Sequence, residues 1–345
     1  MVPTTSLASA TALYLLTRSS QSTQRTILEY LQKLPFTIAP SSLITGLKWL
    51  LALSLTKYVS STLSGIALNN WKVFADTSRW NWSEEIAVVT GGCSGIGEEI
   101  TKALAAKGVK VVVLDMAPLP DRLKNVVALY LKCDVTDGDA VDAVADEIRA
   151  KIGSPSILVN NAGIGNDYPI FDAPNAKVKQ LIDVNLTSHW YTCRAFAPDM
   201  VKRNKGHIVE IASMSSFVSV GSFSSYSATK IALVALCECL REQLRTWYRA
   251  PNVHVTNVHP LWVATPLVAF RQELIEKKSG KMMSAQFVGK EVADQIFRCR
   301  GTQLVIPKSY SFLRTTRAWP VWLLDTLKGL GANTREELEA EMKKQ

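Results

Sequence analysis

Short apolar runs alternate with helical patterns along the chain from residue 86 to residue 306. The runs are rich in β-branched residues, which predicts strands separated by helices. The predicted strands are Ile86–Thr90, Val109–Leu114, Val126–Lys132, Ile157–Asn160, His207–Ala212, Val253–His259 and Gln303–Ile306. The predicted helices begin near Gly97, Asp137, Asn175, Ser224 and Lys290. Because this alternation produces right-handed crossovers, we predict an α/β fold with a doubly wound parallel sheet and helices on both faces.

Residues 1–85 form a hydrophobic segment and connector that lack this alternation. From Ser41 to Leu68 the only charged residues are Lys48 and Lys57. A membrane-spanning helix needs roughly 20 apolar residues, so we predict a membrane-associated segment that spans or re-enters the bilayer. The alternative is a helix that packs on the domain that follows it. That domain is predicted at 86–309, followed by an apolar stretch and a solvated helical tail at 310–345.

The charge distribution argues against a nucleic acid as partner. The chain has 345 residues and a net charge of +9, but its Lys and Arg residues are scattered. A solvated surface or attraction to an anionic membrane explains such an excess. The six cysteines include no CxxC pair, which predicts reduced thiols and a cytosol-facing domain. The four histidines lack metal-site spacing, so no metal is predicted.

A glycine-rich turn, Thr90-Gly-Gly-Cys-Ser-Gly-Ile-Gly97, joins the first predicted strand to the first predicted helix. The free backbone N–H groups and the positive end of the helix dipole attract a pyrophosphate. Glycine also lets a ligand approach the backbone closely. The sequence therefore predicts a dinucleotide-binding turn.

Asp115 ends the next predicted strand, about 20 residues after the glycines. An acid at this position hydrogen-bonds the adenosine ribose hydroxyls and repels a 2′-phosphate. Met116 and Ala117 follow, so no cation is directly adjacent in sequence. The predicted cofactor is NAD(H) or NADP(H), with NAD(H) favoured.

Tyr226 and Lys230 are four residues apart in a predicted helix, which places both side chains on one face. A free tyrosine has a pKa of about 10, and a nearby cation lowers it by favouring the phenolate. The pair therefore predicts a proton donor or acceptor tuned toward neutral pH.

These motifs, in this order, resemble the short-chain dehydrogenases/reductases from about Ile86 to Ile306. Thr90–Gly97 is similar to the family's TGxxxGIG turn, and Asn160-Asn-Ala-Gly163 matches its NNAG motif. Ser213 precedes Tyr226-Ser-Ala-Thr-Lys230 at the family's separation. His259-Pro-Leu-Trp-Val-Ala-Thr265 is similar to the PGxxxT segment, although Leu261 stands where glycine is usual.

The resemblance implies a Rossmann-type domain that transfers a hydride between substrate and cofactor. It implies catalytic roles for Ser213, Tyr226, Lys230 and Asn185. It implies cofactor contacts at Gly91, Ser94, Gly95, Ile96, Gly97, Asp115, Asp134, Val135, Asn161, Ala162, Gly163, Tyr226, Lys230, Val263 and Thr265. Asn185 also begins a glycosylation sequon, which we expect to be silent beneath a cofactor.

The substrate side predicts a lipophilic alcohol and its ketone or aldehyde. The loop from Met214 to Phe223 is largely apolar, and 266–286 resembles the family's mobile substrate lid. With the hydrophobic front segment, the chain resembles the membrane-associated branch that acts on retinoids, steroids, long-chain lipids or terpenoid-type metabolites. The resemblance also implies a homodimer. The alternatives are a catalytically silent dinucleotide-binding membrane scaffold, and a soluble cytoplasmic enzyme whose first 85 residues form a cap or dimer arm.

Overall fold

A computed structural model describes residues 4–32, 39–165 and 168–330. The chain divides into two compact units, Met1–Ala67 and Leu68–Gln345. The predicted helical end of the tail, 331–345, lies outside the described residues.

A seven-stranded parallel sheet forms the centre of the second unit, with strand order β3-β2-β1-β4-β5-β6-β9. Its strands are β1 Ile86–Thr90, β2 Lys110–Asp115, β3 Leu129–Lys132, β4 Ile157–Asn160, β5 Gly206–Ile211, β6 Val253–Pro260 and β9 Thr302–Ile306. A separate parallel pair joins β7 Val263–Ala264 to β8 Met283–Ser284. The order reverses between β1 and β4, which leaves a crevice at the carboxyl ends of these strands for a ligand. The predicted doubly wound α/β fold is confirmed.

Eleven α-helices occur in the described part of the chain. They are α1 Thr4–Thr17, α2 Gln21–Gln32, α3 Pro40–Leu68, α4 Gly95–Ala105, α5 Gly138–Lys151, α6 Asn175–Ile182, α7 Ser188–Arg203, α8 Ser224–Thr246, α9 Gln272–Ser279, α10 Ala285–Phe297 and α11 Val321–Leu330.

Two apolar cores cover the two faces of the sheet, because successive side chains of a strand point to opposite faces. Ala87 and Val89 of β1 pack in the core that includes α4 and α10. Val88 lies between them in sequence and packs in the core that includes α5, α7 and α8. β1 is thus buried on both sides, which explains its nearly continuous apolar sequence.

Two features of this unit differ from the sequence-based prediction. The helical region that begins at Asn175 is interrupted by a π-helical stretch, Asp183–Thr187, between α6 and α7. The predicted lid contains α9 and the short strand β8, which pairs with β7 just before the lid. Strands of two residues are too short to leave a periodic pattern, so sequence analysis could not detect them.

The first unit contains α1, α2 and α3, and many of its large apolar side chains are exposed. Ser6 of α1 donates a hydrogen bond to Ser54 of α3 at 2.8 Å. Within the described residues, no helix combines the length and apolarity needed to cross a membrane. The expected spanning helix is therefore not supported. Although α3 has 29 residues, Lys48, Lys57 and repeated hydroxyl side chains lower its hydropathy.

The segment after β9 packs against the loop that follows β5. The 3₁₀-helical stretch Lys308–Ala318 places Thr316 so that its hydroxyl donates to the Phe217 carbonyl at 3.2 Å. The guanidinium of Arg317 donates to the Ser216 carbonyl and to the Ser219 hydroxyl. The C-terminal region thereby supports the loop that was predicted to face the substrate.

Candidate active site

The glycine turn between β1 and α4 is held by very close backbone packing. Gly91 and Gly95 have φ values of +63° and +56°, which side chains other than glycine rarely adopt. A Cβ at Gly97 would lie 2.2 Å from the Gly91 carbonyl oxygen and 2.3 Å from Nδ2 of Asn161. Ser94, at the N-cap of α4, is exposed, and Ile96 packs in the core beneath the turn. The predicted cradle therefore has room for backbone and ligand but none for a side chain at Gly97.

The end of β4 is fastened to this turn. The side-chain amide of Asn161 donates to the carbonyl oxygens of Thr90 and Gly91, both at 3.0 Å. The hydroxyl of Thr90 accepts from the backbone N–H groups of Asn161 and Ala162, also at 3.0 Å. Thr90 was not predicted as a site residue. Its position as the first residue of the glycine motif is the signal that could have identified it.

Asp115 lies at the carboxyl end of β2, beside the glycine turn. Its carboxylate accepts from the backbone N–H groups of Cys93 at 2.9 Å and Ala117 at 3.0 Å.

Arg122, which sequence analysis did not consider, acts electrostatically on Cys93 of the glycine turn. Its guanidinium donates to both carboxylate oxygens of Glu98, at 2.5 and 2.7 Å. The Arg122 and Lys102 side chains lower the pKa of Glu98 to about 2, so the Arg122 charge is matched by a carboxylate.

Asp134 and Val135 follow β3 at the same edge of the sheet. Asp134 is exposed, and its carboxylate accepts from the backbone N–H and the hydroxyl of Thr136. Val135 is buried. The carboxylate bonds fix the turn after β3, where the resemblance places the adenine contact.

The segment around β7 closes against the glycine turn. Val263 is buried, and Thr265 follows β7 immediately. A Cβ at Gly95 would lie 3.3 Å from Cγ2 of Thr265. Residues from distant parts of the sequence therefore meet at the turn.

Ser213, Tyr226 and Lys230 come together at the carboxyl end of β5. Ser213 is hydrogen-bonded to the Tyr226 phenol. The Lys230 Nζ atom lies 5.5 Å from the centroid of the Tyr226 ring and donates to the Ile211 carbonyl at 2.8 Å. Both Tyr226 and Lys230 belong to α8, so helical spacing places them on one face.

Burial opposes charge on both members of the tyrosine–lysine pair. It raises the pKa of Tyr226, although the hydrogen bond with Ser213 acts in the opposite direction. It lowers the pKa of Lys230 to about 8, with the charge of Glu210 opposing this effect. The Tyr226 pKa is therefore raised and not lowered as expected, because desolvation outweighs the hydrogen bond with Ser213.

Asn185 lies within the π-helical stretch and is fully buried. Its side chain accepts from the Ile164 N–H and donates to the Ile164 carbonyl, both at 2.8 Å. A Cβ at Gly163 would lie 3.4 Å from Oδ1 of Asn185 and 3.8 Å from Nζ of Lys230. Asn185, Gly163 and Lys230 thus meet beneath the NNAG turn. The burial of Asn185 also makes its glycosylation sequon inaccessible.

Aromatic side chains surround the side of Tyr226 that faces the predicted lid. The Phe223 ring lies 6.3 Å from the Tyr226 ring and 5.9 Å from the Trp262 ring, measured between centroids. The guanidinium of Arg271, only 2% exposed, lies 5.0 Å from the Phe223 centroid. The sequence predicted an apolar surface here, but the buried cation was not anticipated.

A family model described as short chain dehydrogenase matches residues 85–275. The chain belongs to this family. Dehydrogenase RED2 of Cochliobolus heterostrophus is 42% identical over 202 residues, which cover 58% of this chain and 75% of the relative. The very-long-chain 3-oxoacyl-CoA reductase of Bos taurus is 33% identical over 224 residues, which cover 62% of this chain and 70% of that relative.

The fold of this short-chain dehydrogenase is shared with solved structures. The ligand-free aldohexose dehydrogenase of Thermoplasma acidophilum superposes with a TM-score of 0.57 at 26% identity. The alignment covers 64% of this chain and 92% of that protein. The chain is therefore an NAD(P)-dependent oxidoreductase.

The residues of the dehydrogenase site fit a nicotinamide dinucleotide. The turn offers the N-terminus of α4, and its close backbone packing leaves no space for a Cβ at Gly97. The Asp115 carboxylate and the Lys230 ammonium are suitable partners for ribose hydroxyls on either side of a pyrophosphate. This fit depends on backbone groups as much as on side chains.

The close packing at Gly97 yields a direct test of the cradle. We expect Gly97→Ala to destabilise the fold by roughly 1–3 kcal/mol, because the new methyl overlaps the Gly91 carbonyl. It should also weaken dinucleotide binding severely. Thermal unfolding and fluorescence titration with NADH measure the two effects.

Gly329→Ala is the matched control, since no atom lies within 4 Å of the added Cβ. Equal NADH affinity in Gly97→Ala and the wild type would contradict the assignment of this turn to the pyrophosphate.

Proposed function

We propose that this dehydrogenase interconverts a lipophilic primary or secondary alcohol and its aldehyde or ketone, such as a retinoid, steroid, long-chain lipid or terpenoid-type metabolite. The observation that carries the proposal is the grouping of Ser213, Tyr226 and Lys230 beside the rings of Phe223 and Trp262. Polar catalytic groups that meet an aromatic wall suit a polar reacting oxygen on an apolar substrate body.

Tyr226 gives a proton to the substrate oxygen in reduction and takes one in oxidation. The bound nicotinamide supplies or accepts the hydride. Ser213 hydrogen-bonds the same oxygen and stabilises the charge that develops on it, because its hydroxyl is already positioned against the phenol. The extended backbone of Ser213 and its acceptance of the Ser215 N–H hold this hydroxyl in place.

Lys230 and Asn185 serve the same proton transfer. Lys230 holds a ribose hydroxyl and favours the Tyr226 phenolate when it carries a charge. Its pKa of about 8 leaves the charged form predominant at neutral pH. Asn185 orients the Ile164 backbone beside Lys230 and contributes to a water link from Lys230 to solvent.

Tyr226→Phe tests the mechanism. We expect turnover to fall by about 10²-fold or more, since the phenol hydroxyl is the proton carrier, while NADH binding is retained. The measurement is nicotinamide absorbance with a panel of lipophilic alcohols and ketones. Tyr248→Phe is the control, because Tyr248 is 54% exposed and lies outside the site.

Unchanged turnover in Tyr226→Phe would refute the role of the phenol. A wild-type protein that binds NADH but turns over no member of the panel favours the second candidate, a catalytically silent dinucleotide-binding scaffold. The lipid-related name of the Bos taurus relative supports the choice of this panel.

We propose NAD(H) as the preferred cofactor. Asp115 is fixed by two backbone N–H groups beside the glycine turn, where its charge would repel a 2′-phosphate. The nearby cation, Arg122, is paired with Glu98 and is therefore less available to a phosphate.

Asp115→Asn provides the test of this preference. We expect the ratio of kcat/KM with NADH to that with NADPH to fall, because the amide removes the repulsion of the 2′-phosphate. Asp121→Asn is the control, since the Asp121 side chain is 91% exposed and pairs with Lys124. A wild-type enzyme that prefers NADPH would contradict the proposal.

We also propose that the first unit associates with a membrane surface and that the enzyme is a homodimer formed through α6 and α8. Trp49, Leu53, Val59 and Leu63 of α3 are all more than half exposed. Their combined apolar area, with Lys48 nearby, suits the interface of an anionic bilayer. The location of that membrane in the cell, such as the endoplasmic reticulum or a lipid droplet, is part of the same hypothesis.

Vesicle flotation tests the membrane proposal. We expect the full chain to float with vesicles that contain phosphatidylserine, and the double variant Trp49→Ser/Leu53→Ser to float several-fold less because it exposes less apolar surface. Trp247→Ser is the control, since Trp247 is 69% exposed on the second unit. Equal flotation of all three proteins would contradict a role for α3.

A further inference from the structure

A carboxylate lies in the centre of the sheet, immediately behind the catalytic lysine. Glu210 occupies the penultimate position of β5 and is fully buried. Burying an ionised carboxylate is costly unless it is paired and hydrogen-bonded. An apolar residue would satisfy the strand pattern here, so the acid requires another explanation.

Glu210 is held by side chains from two neighbouring elements. The Asn160 amide of β4 donates to one carboxylate oxygen at 2.8 Å, and Nδ1 of His189 in α7 contacts the other. The thiol of Cys193, one turn after His189, donates to the first oxygen at 3.6 Å. The Thr192 hydroxyl in turn donates to the side-chain oxygen, Oδ1, of Asn160 at 2.7 Å. The carboxylate is therefore fixed in position.

The backbone connects this carboxylate to the catalytic lysine. Ile211 follows Glu210, and its carbonyl accepts the hydrogen bond from the Lys230 ammonium at 2.8 Å. Glu210 raises the pKa of Lys230 against the larger effect of burial. The thiols of Cys193 and Cys237 also respond, since burial and then the Glu210 charge raise their pKa values. Groups on two helices thus experience a negative charge at Glu210.

We propose that Glu210, fixed by Asn160 and His189, is a positioning residue that keeps the Lys230 ammonium charged and directed at the Ile211 carbonyl. The inference rests on the proposed function, because it assigns Glu210 a task in the proton transfer of Tyr226. Lys230 then retains its charge in a site too dry to support an isolated ammonium.

The groups around Lys230 come from several elements. Tyr226 lies on its own helix, and Cys237 follows on the same helix. His189 and Cys193 face Glu210 from α7, and His259 lies on β6. Burial lowers the pKa of His259 to about 4, so this imidazole is neutral at physiological pH. Arg314, from the stretch after β9, acts on His259. In this set Glu210 supplies the charge that favours the ammonium.

Titration of Lys230 in the full chain tests the proposal. The ¹³Cε resonance of labelled lysine reports its protonation, with Lys230→Arg used for assignment. We expect Glu210→Gln to shift the titration to lower pH and Glu210→Asp to restore much of the shift. Turnover at neutral pH should fall roughly tenfold or more in Glu210→Gln, as expected for loss of a neighbouring opposite charge.

Glu85→Gln is the matched control. Glu85 is also a buried carboxylate, but it pairs with Lys205 and Ser156 at the opposite end of the strands. Its removal should affect stability without moving the Lys230 titration. If Glu210→Gln fails to fold, the double variant Glu210→Met/His189→Leu replaces the carboxylate and the imidazole that contacts it by apolar side chains. We expect the same shift of the Lys230 titration to lower pH.

An unchanged Lys230 titration in the folded Glu210 variant would overturn the inference. This readout needs no substrate, so it is independent of the panel that tests the proposed function. If Glu210→Gln shifts the Lys230 titration but Tyr226→Phe leaves turnover unchanged, the electrostatic link between Glu210 and Lys230 stands. The proposed proton transfer by the phenol is then refuted.

Discussion

The burial of the Lys230 ammonium is the constraint on which the catalytic arrangement depends. An ammonium loses favourable hydration when it enters a protein interior, and here the loss lowers the pKa of Lys230 to about 8. The Ile211 carbonyl and the Glu210 charge offset part of this cost. The same dry surroundings raise the pKa of Tyr226. Burial therefore opposes the charged form of both side chains.

Steric limits, and not charge, determine the glycine turn between β1 and α4. Gly97 leaves no room for a Cβ because the Gly91 carbonyl and the Asn161 amide occupy that space. The amide in turn fastens β4 to the end of β1. The shape of the glycine turn and the connection between the two strands thus depend on the same few atoms.

The candidate catalytic and cofactor residues could be proposed from the sequence because the motifs that carry them are local. Tyr226 and Lys230 meet through helical spacing, and the glycines follow a strand directly. The alternation of apolar runs also predicted the strands of the main sheet. By contrast, the π-helical stretch that positions Asn185 and the short β7–β8 pair leave no periodic signal. Desolvation reversed the expected direction of the Tyr226 pKa, since sequence spacing shows the nearby cation but not the loss of water.

The sequence by itself determined the α/β class and indicated the glycine turn and the candidate catalytic side chains, because each depends on neighbours along the chain. Only the tertiary structure decided which distant groups control their charges. Glu210 meets His189 and Asn160 because β4, β5 and α7 pack together, and Arg122 meets Glu98 across a turn and a helix. Such pairs join separate elements and have no characteristic spacing. Their energies depend on burial, which is a property of the folded chain and not of its sequence pattern.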